Sequence, residues 1–128
     1  MRRSMPLSLS LVAVFVACCV NAACAKPDAV YRVAGRVIAV SGRGPDLRVV
    51  VSHEAIAGFK DRDGNVARMP AMTMAFGVAK DVDAKLFTPG SQWEFEFDVA
   101  WNREPVLRID RAKALPADAK LALAPDRH

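Results

Sequence analysis

The sequence predicts an all-β protein, a small barrel of five short strands that follows a cleaved signal peptide. Three observations support this fold class. Segments rich in β-branched and aromatic residues alternate between apolar and polar side chains, and clusters of glycine, proline and aspartate separate them. No long helical pattern follows the leader. At 128 residues the chain has the length of one domain and can bury a core without disulfides.

The first 25 residues have the pattern of a secretory signal peptide. Arg2 and Arg3 give a positive start, residues 7–20 form an apolar stretch, and small residues precede a predicted cleavage before Lys26. A bilayer span needs about twenty apolar residues. The stretch is shorter than that, so we expect export to the periplasm and no membrane span.

Removal of the leader changes the composition. The charge falls from +4 to +2 because Arg2 and Arg3 leave and no acidic residue does, which gives no support for nucleic-acid binding. All three cysteines lie before Lys26, so the mature chain would contain none. Lipoprotein processing at Cys24 or Cys18 is an alternative, and it would leave a lipid anchor.

The mature chain is expected to begin with a β-hairpin. Residues 31–40 form the first predicted strand, residues 42–46 are dense in turn formers, and residues 47–53 alternate in polarity as a second strand that ends at His53. Gly35 lies within the first strand. We expect it to mark a bulge or a sharp bend.

The most regular strand pattern covers residues 92–101, where an aromatic and apolar face alternates with a mostly acidic one. Shorter strands are predicted at residues 72–78 and 106–111, and residues 81–87 are predicted to form a helical turn or two. Five short strands within about eighty residues are typical of a barrel of the OB type.

These patterns predict the organisation of the chain. Residues 1–25 are the signal peptide, residues 26–30 a flexible lead, residues 31–115 the OB-like barrel and residues 116–128 a loose tail. The sequence shows no internal repeat.

The three methionines that remain after the leader lie within six consecutive positions. Met72 and Met74 are two residues apart, so in a strand they project from the same face. Met69 precedes Pro70, which suits a strand start or an edge. Methionine is also an adaptable filler of apolar cores, but the clustering of all three favours a binding site.

The residue types indicate a soft metal. A thioether is an uncharged ligand that selects Cu(I) and, by the same softness, Ag(I), and a neutral imidazole completes such a site. Of the two histidines, His53 ends a predicted strand next to the methionine segment, whereas His128 is terminal. Outside the cytoplasm these ligands avoid the oxidation that threatens a free thiolate.

The run from Met69 to Phe76 (M-P-A-M-T-M-A-F), together with the upstream His53, resembles the CusF-like periplasmic copper/silver-binding proteins and the related modules fused to efflux and copper-delivery proteins. The resemblance implies a five-stranded OB barrel and Cu(I) or Ag(I) as cargo. It implies His53, Met72 and Met74 as the three ligands. A metal efflux complex or a copper-dependent enzyme is the implied recipient.

The chain departs from the best-known members of that family in two ways. They carry a tryptophan that caps the metal at the position of Met69, so Met69 is either a fourth ligand or an apolar lid. The connection at residues 54–68 is also longer than usual, and we expect residues 60–65 to form a surface turn.

Other candidate sites receive less support. Residues 61–65 contain a trace of a calcium loop but lack its distal glutamate, so a solvated turn is expected. Trp93 and Trp101 are expected in the core rather than as metal caps. The acidic residues of their strand are expected on a solvated face, with a docking strip for a partner as the less favoured alternative. These three are Glu94, Glu96 and Asp98.

No set of residues with the arrangement of a catalytic site is found, so enzyme activity is not expected. The alternative to metal binding is an exported OB-fold interaction module. Such a module would recognise a protein or an oligosaccharide without metal and use its methionines as an apolar contact patch.

Overall fold

The computed structural model describes residues 26–125. The predicted signal peptide with its three cysteines and the terminal His128 therefore lie outside the described residues. Within the described part, five strands close into a barrel in the order β1-β2-β3-β5-β4. The strands are β1 (Ala29–Ser41), β2 (Arg48–His53), β3 (Met72–Val78), β4 (Gln92–Val99) and β5 (Leu107–Ala114).

The all-β prediction and the OB-like five-stranded barrel are confirmed. Neighbouring strands pair antiparallel, except that β3 and β5 run parallel. The predicted hairpin is formed by β1 and β2. The helical turn expected at residues 81–87 is a single 3-10 turn at Ala84–Leu86, and another 3-10 turn at Gly44–Asp46 joins the hairpin strands.

The start of the barrel lies earlier than the sequence predicts. β1 begins at Ala29, two residues before the expected boundary. Asp28 is also held, because its N–H donates to the carbonyl oxygen of Val99 at 2.7 Å and its carboxylate accepts from the N–H of Trp101 at 2.8 Å. The alternation of apolar and polar residues in the sequence does not predict these two hydrogen bonds of Asp28.

Gly35 allows a close approach between β1 and β2. A Cβ atom at this position would lie 2.5 Å from Cγ1 of Val51 and 2.9 Å from the carbonyl oxygen of Ser52, both well inside van der Waals contact. Of the two features expected at Gly35, a bulge or a sharp bend, the bulge is not found there. The shift in register lies between Val37 and Ala39.

The core fills the barrel with valine, isoleucine and phenylalanine side chains. Trp93 and Trp101 are partly buried against it, and their rings pack edge-on against Phe87 and Phe59 at centroid distances of 5.1 and 6.4 Å. This packing supports the core interpretation of both tryptophans. The buried apolar residues are Val33, Val37, Val49, Val51, Ile56, Phe59, Phe76, Phe87, Phe95, Phe97, Val99 and Ile109.

The acidic face of β4 is not solvated along its whole length. Glu94 is exposed and Glu96 is half-buried, but Asp98 is only 4% exposed. Its carboxylate accepts hydrogen bonds from Arg103 and, at 3.1 Å, from Arg108. The expectation of a solvated row is therefore wrong at Asp98, because the turn after β4 folds Arg103 back over the strand.

No helix within residues 26–125 is long and apolar enough to cross a membrane.

Candidate metal-binding site

The methionine segment forms β3 and pairs with the end of β2. His53 lies directly opposite Met72 in this antiparallel ladder, and Val51 lies opposite Met74. Side chains of directly opposed residues project from the same face of a sheet, with Cβ atoms about 4.5–5.5 Å apart. His53, Met72 and Met74 therefore share the inner face at one end of the barrel.

Exposure increases along this face from the core to the surface. Phe76 is 2% exposed, Met74 is half-buried and Met72 is 38% exposed. His53 is fully buried, and its ring meets Phe76 edge-on at a centroid distance of 6.1 Å. His53 thus lies at the floor of the candidate site, and Met72 lies at its opening.

One ring nitrogen of His53 is held by the backbone. Nδ1 lies 2.6 Å from the carbonyl oxygen of Glu54, which can only accept a hydrogen bond, so Nδ1 carries the proton. In the neutral ring, Nε2 then keeps its lone pair. Nε2 is buried and meets no hydrogen-bond partner among the described residues. Because a buried polar atom is rarely left unpaired, this nitrogen fits a metal ligand.

Burial favours the neutral form of His53. It lowers the pKa of His53 below the ordinary value of 6.5, although the hydrogen bond to the Glu54 carbonyl raises the pKa in part. Since only the neutral imidazole can donate a lone pair to a metal, the environment favours the form that binds.

Met69 lies on the connection between β2 and β3, the two strands that carry the candidate ligands. It pairs with Ile56 in an isolated bridge, with hydrogen bonds of 2.8 and 3.0 Å between the two backbones, and its partly buried side chain packs against the core. The connection is therefore a small hairpin rather than an open loop. Ile56 and Phe59 of this hairpin are buried and anchor it to the barrel.

The tip of this hairpin is an exposed turn, as expected for residues 60–65. The carboxylate of Asp61 accepts hydrogen bonds from the N–H groups of Asp63 and Asn65 at 2.9 and 3.0 Å. Asp61 therefore stabilises a backbone turn. This structural role accounts for the calcium-like spacing of the polar residues at 61–65.

The donor set determines which metals the site suits. Within residues 26–125, no group of three histidine, cysteine, aspartate or glutamate residues is arranged to hold a metal. The candidate donors, one imidazole and two thioethers, belong to a different class, neutral and soft, which suits a monovalent copper or silver ion.

Sequence reasoning missed Glu54 as part of this site. Its contribution to His53 comes from a main-chain carbonyl, which no residue type signals. It also missed the contacts of the C-terminal segment, where Ala122 donates its N–H to the Glu54 carboxylate at 2.9 Å.

Comparison with known proteins identifies one family. The family described as copper binding periplasmic protein CusF matches residues 30–111, which is 82 of the 128 residues. Comparison with curated proteins and with solved structures finds no significant match.

Proposed function

Since this chain belongs to the CusF family of periplasmic copper-binding proteins, we propose that it carries one Cu(I) or Ag(I) ion on His53, Met72 and Met74. The observation that carries the ligand assignment is the buried, unpartnered Nε2 of His53 on the strand position opposite Met72. Three neutral ligands leave the single positive charge of the ion uncompensated. This favours a monovalent ion over a divalent one.

The arrangement supports release by stepwise ligand exchange. Met72 is the most exposed of the three ligands, so a donor group of a recipient can reach the ion from that side. The thioether of Met72 leaves first, Met74 follows, and the buried imidazole of His53 leaves last. At each step the recipient supplies a ligand as one is lost, which avoids a bare ion.

The proposed biological role is that of a metallochaperone or buffer in metal resistance. The recipient is a metal efflux complex or a copper-dependent enzyme. We propose that residues 1–25 direct export and are then removed, and that the mature protein is free in the periplasm. Lipid attachment at Cys24 or Cys18 is the alternative form.

Met69 has one of two roles in this proposal. As a fourth ligand its sulfur would bind the ion, whereas as an apolar lid it would only exclude water. Met69→Leu distinguishes the roles because leucine keeps the apolar volume and removes the sulfur. Loss of Cu(I) affinity in this variant indicates a ligand, and unchanged affinity indicates a lid.

A titration with Ag(I), which replaces Cu(I) without redox chemistry, tests metal binding. We expect the methyl NMR signals of Met72 and Met74 to shift and saturate at one equivalent of Ag(I). Thr73 lies between them on the outer face of β3, so its methyl signal serves as a control. Unshifted methionine signals would contradict the proposal and favour the metal-free interaction module.

A further inference from the structure

The C-terminal segment beyond β5 is bound back onto the barrel. Gln92, at the start of β4, is 4% exposed, and its carbonyl oxygen accepts from the N–H of Leu115 at 2.9 Å. Its side-chain Nε2 lies within 3.2 Å of the carbonyl oxygens of Pro116 and Ala117 and 2.9 Å from that of Ala119. The buried side-chain amide of Gln92 thus contacts three backbone carbonyls of the C-terminal segment. These contacts fix the direction in which the segment continues from β5.

That direction leads to the metal-binding end of the barrel. The N–H of Ala122 donates to Oε2 of Glu54 at 2.9 Å. Residues 115–122, which we call the C-terminal clasp, therefore join the start of β4 to the residue that follows His53. The clasp lies beyond residues 30–111, the part of the chain that matches the family.

Three hydrogen bonds fix the position of Glu54. Its N–H donates to the carbonyl oxygen of Ala34 at 2.9 Å, its carbonyl oxygen accepts from Nδ1 of His53 at 2.6 Å, and its carboxylate accepts from Ala122. Movement of residue 54 therefore moves the group that sets the orientation of the His53 ring. Partners of this kind, one step removed from a metal ligand, fix its tautomer and direction.

We propose that the C-terminal clasp positions His53 through Glu54 and thereby slows the release of the metal ion. The proposal rests on the proposed function, because it takes His53 as a ligand. Glu54 acts here as a positioning residue. For Nε2 to leave the ion, the ring must tilt, and a fixed Glu54 carbonyl resists that tilt.

The test measures the rate at which Cu(I) passes from the mature protein to an excess of a chromophoric Cu(I) chelator at constant pH. Glu54→Ala removes the acceptor of the clasp, and Ala122→Pro removes its donor. We expect each variant to release Cu(I) about fivefold faster, within the range of couplings between residues of one hydrogen-bond network. The double variant should release no faster than either single one.

Two matched controls separate the clasp from general effects. Glu94 lines the same surface cleft as Glu54 and is exposed, so Glu94→Ala loses the same charge without touching the clasp. Ala124→Pro places a proline two residues beyond the clasp. Both should release Cu(I) at the wild-type rate. Glu54→Gln keeps an acceptor oxygen for Ala122, so unlike Glu54→Ala it should release Cu(I) as slowly as the wild type.

A readout without metal tests the positioning role directly. In the apo protein the Nδ1 proton of His53 should exchange slowly with water. Glu54→Ala and Ala122→Pro should each accelerate that exchange. The thermal unfolding temperatures of these two variants should stay near that of Ala124→Pro. Unchanged proton exchange and unchanged Cu(I) release in both clasp variants would overturn the proposal.

A final variant distinguishes this proposal from the ligand assignment. If His53→Gln releases Cu(I) faster but the clasp variants do not, the clasp has no effect and the ligand assignment stands. If His53→Gln releases Cu(I) at the wild-type rate, His53 is not a ligand, and both proposals fail. Faster release in the clasp variants that disappears in the His53→Gln background supports the clasp.

Discussion

His53 and Met72 face each other directly across the ladder of β2 and β3. The register that pairs them is set deeper in the barrel, where Val49 lies opposite Phe76 and both are buried. A slip of one residue would turn every side chain of β3 to the other face. The packing of the core therefore places the two candidate ligands together, although neither ligand belongs to the apolar core.

Replacement of either strand methionine should abolish tight metal binding. Met72→Ile and Met74→Ile each remove one sulfur and keep an apolar side chain. We expect Cu(I) affinity to fall by more than about 100-fold, since even changes around the ligands of metal sites cost about 10–100-fold. Competition with a chelator of known affinity measures the loss.

Both variants should remain folded. Met72 is 38% exposed, and a change of apolar shape at the half-buried Met74 costs less than about 1.5 kcal/mol. Thr73→Val, on the outer face between them, is the matched control and should bind Cu(I) as the wild type does. Wild-type stoichiometry and affinity in both methionine variants would remove them from the ligand set.

Cu(I) affinity should depend on pH through His53. The pKa of the buried ring lies below 6.5, so a proton competes with the ion only when the pH falls below that value. We expect constant affinity from pH 8 to 7 and a decline that begins below pH 6.5. Chelator competition at a series of pH values measures it, and the decline should be absent in His53→Gln.

The same pKa shift predicts how the stability of the apo protein changes with pH. Because the unfolded chain binds a proton at His53 more readily than the folded one, the free energy of unfolding should decrease as the pH falls below 6.5. Denaturant unfolding at pH 7 and pH 5.5 measures this contribution as the difference between wild type and His53→Gln. A difference that does not change with pH would contradict it.

The strands and the shared face of the candidate ligands could be predicted from the sequence. Period-two alternation identifies strands, and the spacing of Met72 and Met74 fixes their common side. Their partner in register was not predictable, because strand pairing depends on the core of the whole barrel. The position of His53 at a strand end was the only local sign of its place opposite Met72.

Two other features could not be read from any local pattern. Asp98 alternates with aromatic residues like its acidic neighbours, and only the fold of the following turn buries it beneath Arg103. The contacts of Gln92 and Glu54 with the C-terminal clasp join segments that have no periodicity of their own. In each case an irregular segment outside the strands determines the environment of a residue in a strand or directly after one.

Gly35→Ala should destabilise the barrel beside His53. The added Cβ would lie 2.9 Å from the carbonyl oxygen of Ser52, a backbone atom that cannot move without displacing β2. We expect a loss of about 2 kcal/mol, typical of overpacking. Gly58→Ala is the matched control, since its Cβ would meet nothing within 4 Å. Equal unfolding midpoints in denaturant for the two variants would contradict this account.

Asp98 and Asp110 form a second titrating element, remote in sequence from the methionines. Burial alone would raise the pKa of Asp98, but its hydrogen bonds with Asp110 and Arg103 and the charges of Arg103 and Arg108 hold it below the ordinary value. Burial, the hydrogen bond with Asp98 and its charge raise the pKa of Asp110 to about 6. Below about pH 6 the pair therefore carries one proton, which resides on Asp110.

Asp110→Asn should therefore stabilise the protein at pH 7 and have little effect at pH 4. The raised pKa means that Asp110 contributes stability below its unfolded value of 3.8 and loses it as the pH rises through about 6. Asparagine keeps an acceptor for Arg108 and never ionises. Because Asp110 is only partly buried, solvent screens part of this effect, so we expect a gain of about 1 kcal/mol at pH 7, or about 4–8 °C in Tm. Asp98→Asn, which leaves Arg103 without a carboxylate partner and Arg108 with Asp110 alone, should lower Tm at pH 7. A lower Tm for Asp110→Asn at pH 7 would show that its ionised form stabilises the fold.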